Sequence, residues 1–273
     1  MKQILVATDF SKSAANAFAY ALSMAKVLNM EVTAIHAIHP TEGINNSTYN
    51  AIFIESYYQN KRTALEKWTL DISKAKNLED IPVKTLCEVG FLKTVISKYT
   101  KLSPVELLIM GITGATGITG IVGSNASMVV AKMKIPTLIV PIESNFPSQP
   151  VITLATDYET RLSKKDVQAL TEMLKAAGSS KMQVIYVAEN ANQEHIVSGE
   201  KHISELLPDI QVEFNYIRHS SAPNGIMDFI EQNHTDILCL VKHHHNLIYR
   251  LFTSSTVNKV MNRSLKAILV LHE

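Results

Sequence analysis

Short, unbroken apolar runs alternate along this chain with longer segments of helical spacing. Ile4-Leu5-Val6-Ala7 closes on Thr8-Asp9, and Ala14, Ala17, Phe18, Ala21, Leu22, Ala25 and Leu28 then recur at the spacing of one buried helix face. A second apolar run covers residues 32–38. A polar, turn-rich stretch (40–50) leads from it into a helix-like segment over 55–74 that carries Trp68. Strands that are apolar throughout, separated by helices of ten or more residues, predict parallel sheets covered on both faces.

The pattern then repeats. Ile4-Leu5-Val6-Ala7-Thr8-Asp9-Phe10 is answered by Ile152-Thr153-Leu154-Ala155-Thr156-Asp157-Tyr158, followed by a helical set at Val167, Leu170, Met173, Leu174 and Ala177. The run 32–38 is answered by 182–188, 105–110 by 235–240, and 137–140 by 267–270. Between the copies, Pro141, Pro147 and Pro150 crowd ten residues, and so dense a set of prolines continues neither a helix nor a central strand. The expected organisation is α/β, two tandem doubly wound parallel-sheet domains. They occupy residues 1–142 and 151–273, joined by a linker over 143–150.

Composition narrows the function. The 273 residues are 46% hydrophobic and 19% charged, too apolar for a disordered chain. Lys and Arg number 26 against 25 Asp and Glu, so the basic excess of a nucleic-acid or anionic-membrane binder is missing, and neither partner is expected. Cys87 and Cys239 are the two cysteines, neither in a CxxC pair, so no disulfide framework or zinc site is expected. The first apolar run is too short for a signal-peptide core, and none approaches a membrane span, which makes a cytoplasmic protein the expectation.

The candidate chemistry lies in the glycines. Gly111, Gly114, Gly117, Gly120 and Gly123 fall within thirteen residues directly after a strand, and Ser124 and Asn125 follow at the start of a helical pattern. Strand, glycine loop and helix start form a physical recipe for a phosphate site: bare backbone admits the anion, and the helix N-terminus offers unpaired N–H groups. The loop matches neither the Walker motif nor GxGxxG. Ser124 is equally suited to be a helix cap. Asp9 closes the first strand on the edge where open α/β sheets bind ligands, and it is open to two roles, ligand acceptor or cap of the helix that follows. Asp157 in the second copy is better suited to the cap. His36 and His39 flank the same edge without being nominated.

These residues resemble the universal stress protein (UspA-like) family in its tandem form. The likeness rests on residues 4–9, on Ile35-His36-Ala37, on Val89-Gly90-Phe91-Leu92, and most specifically on Met110-Gly111-Ile112-Thr113-Gly114 leading to Gly123-Ser124-Asn125. The resemblance implies ATP or AMP, with or without Mg2+, bound by the N-terminal domain. Asp9 and Ala37 would meet the adenine, and Gly111, Gly114, Gly123, Ser124 and Asn125 the ribose and phosphates. Between Gly114 and Gly123 the loop is one residue shorter than the family's ATP-binding spacing. The resemblance also implies that 137–140 and 267–270 pair within one chain as a pseudo-dimer, leaving room for a further homodimer.

The second copy departs from this pattern. Val241-Lys242-His243-His244 stands where Gly111-Ile112-Thr113-Gly114 stood, Thr253-Ser254-Ser255 replaces Gly123-Ser124-Asn125, and no glycine follows Gly225. Side chains there would fill the space through which backbone reaches a phosphate. The run His243-His244-His245 points to alternate faces if extended, and no acidic or Cys cluster completes a metal set. The expected function is therefore a non-enzymatic nucleotide-binding stress protein, with a nucleotide-free interaction scaffold as the alternative. Residues 111–125 contain no ionisable side chain to stabilise phosphoryl transfer, so no catalytic residue is nominated.

Overall fold

A computed structural model describes residues 2–42, 51–112, 124–158, 162–179, 181–190, 192–242 and 266–272. Gly114, Gly117, Gly120, Gly123, the triple histidine and 253–255 lie outside them.

The first half runs β1 (Gln3–Ala7), α1 (Lys12–Leu28), β2 (Glu31–Ile38), α2 (Ala51–Ala75), β3 (Val83–Val89), α3 (Leu92–Leu102), β4 (Val105–Ile112), α4 (Ser124–Lys132) and β5 (Thr137–Pro141). The second half runs β6 (Ile152–Thr156), α5 (Gln168–Ala176), β7 (Lys181–Ala188), α6 (Gln193–Leu206), β8 (Gln211–Arg218), α7 (Ala222–Gln232), β9 (Ile237–Lys242) and β10 (Ala267–His272).

The ten described strands form one sheet in the order β3-β2-β1-β4-β5-β10-β9-β6-β7-β8. Read outward from the middle, both halves follow the same order, so the sequence repeat is a repeat of topology. Neighbours within each half are parallel. Across the middle, β10 pairs antiparallel with β5, Leu269 opposite Leu138 and Ile268 opposite Ile139.

The apolar runs are explained by burial on both sheet faces. Alternate residues of one strand, Ile4 and Val6 against Leu5 and Ala7, enter two different cores. One core packs the sheet under α1, α2, α5 and α6, through residues such as Phe18, Leu65, Leu170 and Ile196. The other packs it under α3, α4 and α7, through Ile96, Val129 and Ile230. Both cores continue across the middle: Leu138 and Leu269 lie in the first, Ile139 and Ile268 in the second. The proline-rich stretch after β5 is tied back to α1, where Asn16 Nδ2 donates to the carbonyls of Pro141 and Ser144 and Tyr20 meets Phe146 edge to face.

Candidate functional site

Strand order decides where a ligand can sit. From β1 the chain passes through α1 to β2 on one side, and it returns through α3 to β4 on the other. The crevice beyond the carboxyl ends of β1 and β4 is thus a topological switch point, where sheets of this kind bind ligands. A cavity of about 550 Å³ opens there.

Its floor is the strand edge: Ala7 and Thr8 from β1, His36 and Ala37 from β2, and Met110, Gly111 and Ile112 from β4. Ser11, Ser13 and Ala14 at the start of α1 form one wall, and Ala126 and Met128 from α4 another. Gly90, Phe91 and Leu92 close the side toward α3, while Glu42 and Lys61 stand on the side of α2.

Of the residues nominated from sequence, Asp9, Ala37 and Gly111 line this cavity together. Ser124 and Asn125 open α4, whose next residues reach the same cavity. Gly114 and Gly123 lie outside the described residues.

The turn after β1 removes one of the two roles left open for Asp9. The N-cap of α1 is Ser11, whose hydroxyl accepts from the Ala14 N–H at 3.2 Å. Asp9 does not cap the helix. Its Oδ1 accepts from the Ser11 N–H at 3.0 Å, and the residue is exposed beside the cavity. Asp157 is not the cap residue of α5, which begins at Gln168 with Val167 in the cap position. The connection from Thr156 at the end of β6 to Gln168 is thus longer than the one from Ala7 to Lys12 that precedes α1.

Gly111 has a structural requirement of its own. A Cβ at this position would fall on the backbone of Ser13 at the start of α1. The absent side chain lets β4 and α1 meet backbone to backbone, which is what brings the α1 wall to the cavity.

Glu42 and Lys61 carried no signal in sequence, and Phe91 entered only as part of the resemblance. Glu42 accepts from the His39 N–H and the Tyr57 hydroxyl, both at 3.0 Å, and pairs with Lys61 at 3.5 Å. Burial opposes ionisation of Glu42, but the two donated hydrogen bonds and the Lys61 charge outweigh it and hold the carboxyl below its ordinary value. Lys61 lies over the Phe10 and Tyr57 rings, 5.9 and 5.4 Å from their centroids. Phe91, 60% exposed, meets His39 edge to face at 5.1 Å. Lys61 is thus the lysine or arginine among the described lining residues, against two carboxylates. The pieces come from α2 and from the turns after β2 and β3, and only the fold brings them to Asp9.

The second half presents a different surface at the same edge. His195 and His202, on α6, donate from Nε2 to the carbonyls of Asp157 and Leu162 at 3.1 and 2.9 Å, clasping that helix to the segment after β6. Among the described residues no group of three or more His, Cys, Asp or Glu is arranged to hold a metal ion. No described helix is long and apolar enough to cross a membrane.

Helices on both faces of a parallel sheet place the chain in the broad class of doubly wound α/β proteins. The family model "Universal stress protein family" matches residues 1–141, just over half of the chain, and the protein belongs to that family. Among solved structures, the universal stress protein of Archaeoglobus fulgidus DSM 4304 superposes with a TM-score of 0.74 at 16% identity, covering 98% of this chain and 97% of that one. A protein from Pseudomonas aeruginosa UCBPP-PA14 given the same family name superposes with a TM-score of 0.57 at 12% identity, covering 99% and 92%. At these identities the likeness is one of fold. No curated protein is significantly similar in sequence.

Proposed function

We propose that this stress-family protein binds an adenine nucleotide in the cavity between Asp9, Ala37 and Gly111, and that it acts as a binding protein. One observation carries the reading. The exposed Asp9 carboxylate, the strand edge at Ala37 and the start of α4 converge on a single cavity at the topological switch point. The first turn of α4 supplies N–H groups without helical partners, suited to a phosphate, and Asp9 supplies an acceptor suited to a ribose hydroxyl or a base amine. Gly111 supports the fit, since a side chain there would displace α1 from the cavity wall.

The lining charges favour a ligand with few negative charges. With Asp9 and Glu42 facing one Lys61, a monophosphate such as AMP suits the described walls better than ATP. A Mg2+ ion would arrive on the nucleotide's own phosphates. The longer connection between β6 and α5 supports confining this mode to the first half. The antiparallel β5–β10 seam supports reading the chain as two domains, 1–142 and 151–273, paired within one molecule.

The test is direct. Protein purified without added nucleotide is heat-denatured and the supernatant chromatographed, and AMP and ATP are then titrated calorimetrically into nucleotide-free protein. Released or titratable adenine nucleotide is expected, with AMP the tighter ligand. Silence in both assays supports the alternative, a scaffold of the same fold that uses this surface for a protein partner.

A further inference from the structure

The tautomer of His36 is set by its neighbour. Its Nδ1 lies 2.9 Å from the Thr8 carbonyl oxygen. That oxygen only accepts, so Nδ1 carries the proton and Nε2 of the neutral ring is a lone-pair acceptor. Nε2 is buried and has no hydrogen-bond partner among the described residues, although His36 is only 7% exposed and lines the cavity. A buried polar atom left unpaired is costly, and a native structure normally supplies it with a partner.

The topology indicates which part of a nucleotide could serve. If the phosphate lies at the start of α4, beyond β4, the rest of the ligand extends across β1 toward β2. Two strand spacings amount to about 10 Å, enough to bring the base to the end of β2, where His36 and Ala37 stand.

We infer that His36 Nε2 is a specificity-determining acceptor that reads a hydrogen-bond donor on the base, so the site selects a 6-amino purine over a 6-oxo purine. The inference rests on the nucleotide-binding reading above. An exocyclic amine donates to the lone pair, whereas a 6-oxo group opposes it with lone pairs of its own. The Phe10 ring lies 4.6 Å from the imidazole and lines the same cavity.

The experiment compares AMP with IMP by calorimetry in the wild type and in His36→Asn. The shorter amide keeps a donor for the Thr8 carbonyl but has nothing in the place of Nε2. The wild type is expected to bind AMP about tenfold to a hundredfold tighter than IMP, the range expected when a buried acceptor loses its partner. His36→Asn is expected to bring the two affinities close to equality while leaving Tm nearly unchanged. Unequal binding that survives in His36→Asn overturns the inference, and so does equal binding of AMP and IMP by the wild type, which leaves nucleotide binding itself intact. Failure of both ligands overturns the reading together with the inference. Should the variant not fold, 15N NMR of wild-type His36 decides. The Nε2 resonance is expected to shift on adding AMP and not on adding IMP, and an Nε2 indifferent to AMP overturns the inference.

Discussion

Phe10 and Tyr158 hold the same strained turn in the two halves of the molecule. Both have left-handed backbones, with φ of 64° and 58°, and each N–H donates at 3.0 Å to the hydroxyl of the threonine two residues earlier, Thr8 or Thr156. Aromatic residues seldom adopt this conformation. Here each ring is held among others: Phe10 with His36 and Trp68, Tyr158 with Tyr186 and His195. The turn is common to the fold of both halves, and what the following helix does with it differs.

Thr8→Val and Thr156→Val should each cost about 1 kcal/mol, the worth of one intramolecular hydrogen bond, in urea unfolding. Nucleotide binding should weaken only in Thr8→Val, because only its turn delivers Asp9 to the cavity. Equal effects on binding would contradict the asymmetry.

Gly111→Ala should lower stability by about 1–3 kcal/mol, the usual range for overpacking, because the new methyl group falls on the Ser13 backbone. AMP affinity should fall in the same variant, since α1 and β4 must separate where they shape the cavity. Chemical denaturation and calorimetry read the two effects separately.

Glu42 adds stability that depends on pH in a defined direction. Its carboxyl titrates below the ordinary value of 4.5 in the folded protein, so its contribution is fully present above 4.5 and fades as pH falls through the lower folded value. Wild type should exceed Glu42→Gln in stability above pH 4.5, and the gap should narrow as pH falls below it. The pair with Lys61 is partly exposed, so the gap should also narrow with added salt.

The seam should behave as one core. Leu138 and Leu269 are register partners across β5 and β10, and both are wholly buried. Each truncation to Ala should cost about 2–5 kcal/mol. Because the residues touch one shared core, a double-mutant cycle should show coupling well above the noise of independent sites.

Most of the architecture was legible in the sequence because two-faced burial leaves an unmistakable trace. The runs ending at Asp9 and Asp157, and those at 137–140 and 267–270, are apolar at most positions that the sheet covers on both sides, with Thr137 and Thr153 as buried exceptions. Asp9 and Gly111 were legible as candidates because they fall at the carboxyl ends of predicted strands, and the structure places both on one cavity. The cap was not: Asp9 and Ser11 are both good cap residues two positions apart, and only the backbone shows that Ser11 faces the Ala14 N–H. Lys61 and Glu42 were invisible because a charged residue on a long, half-exposed helix or in a polar turn looks the same whether or not it borders a cavity. The unpaired Nε2 of His36 needed a tautomer, and a tautomer needs the Thr8 carbonyl in place.

The central claim is that the cavity beside Asp9 holds an adenine nucleotide. Calorimetric titration of AMP into nucleotide-free wild type and into Asp9→Ala tests it most directly. The account predicts saturable one-site binding by the wild type and a loss of about tenfold or more in Asp9→Ala, the cost of removing one hydrogen bond to a charged group, in a variant that still unfolds cooperatively. Wild-type heats indistinguishable from dilution, or equal affinity in the two proteins, would contradict it.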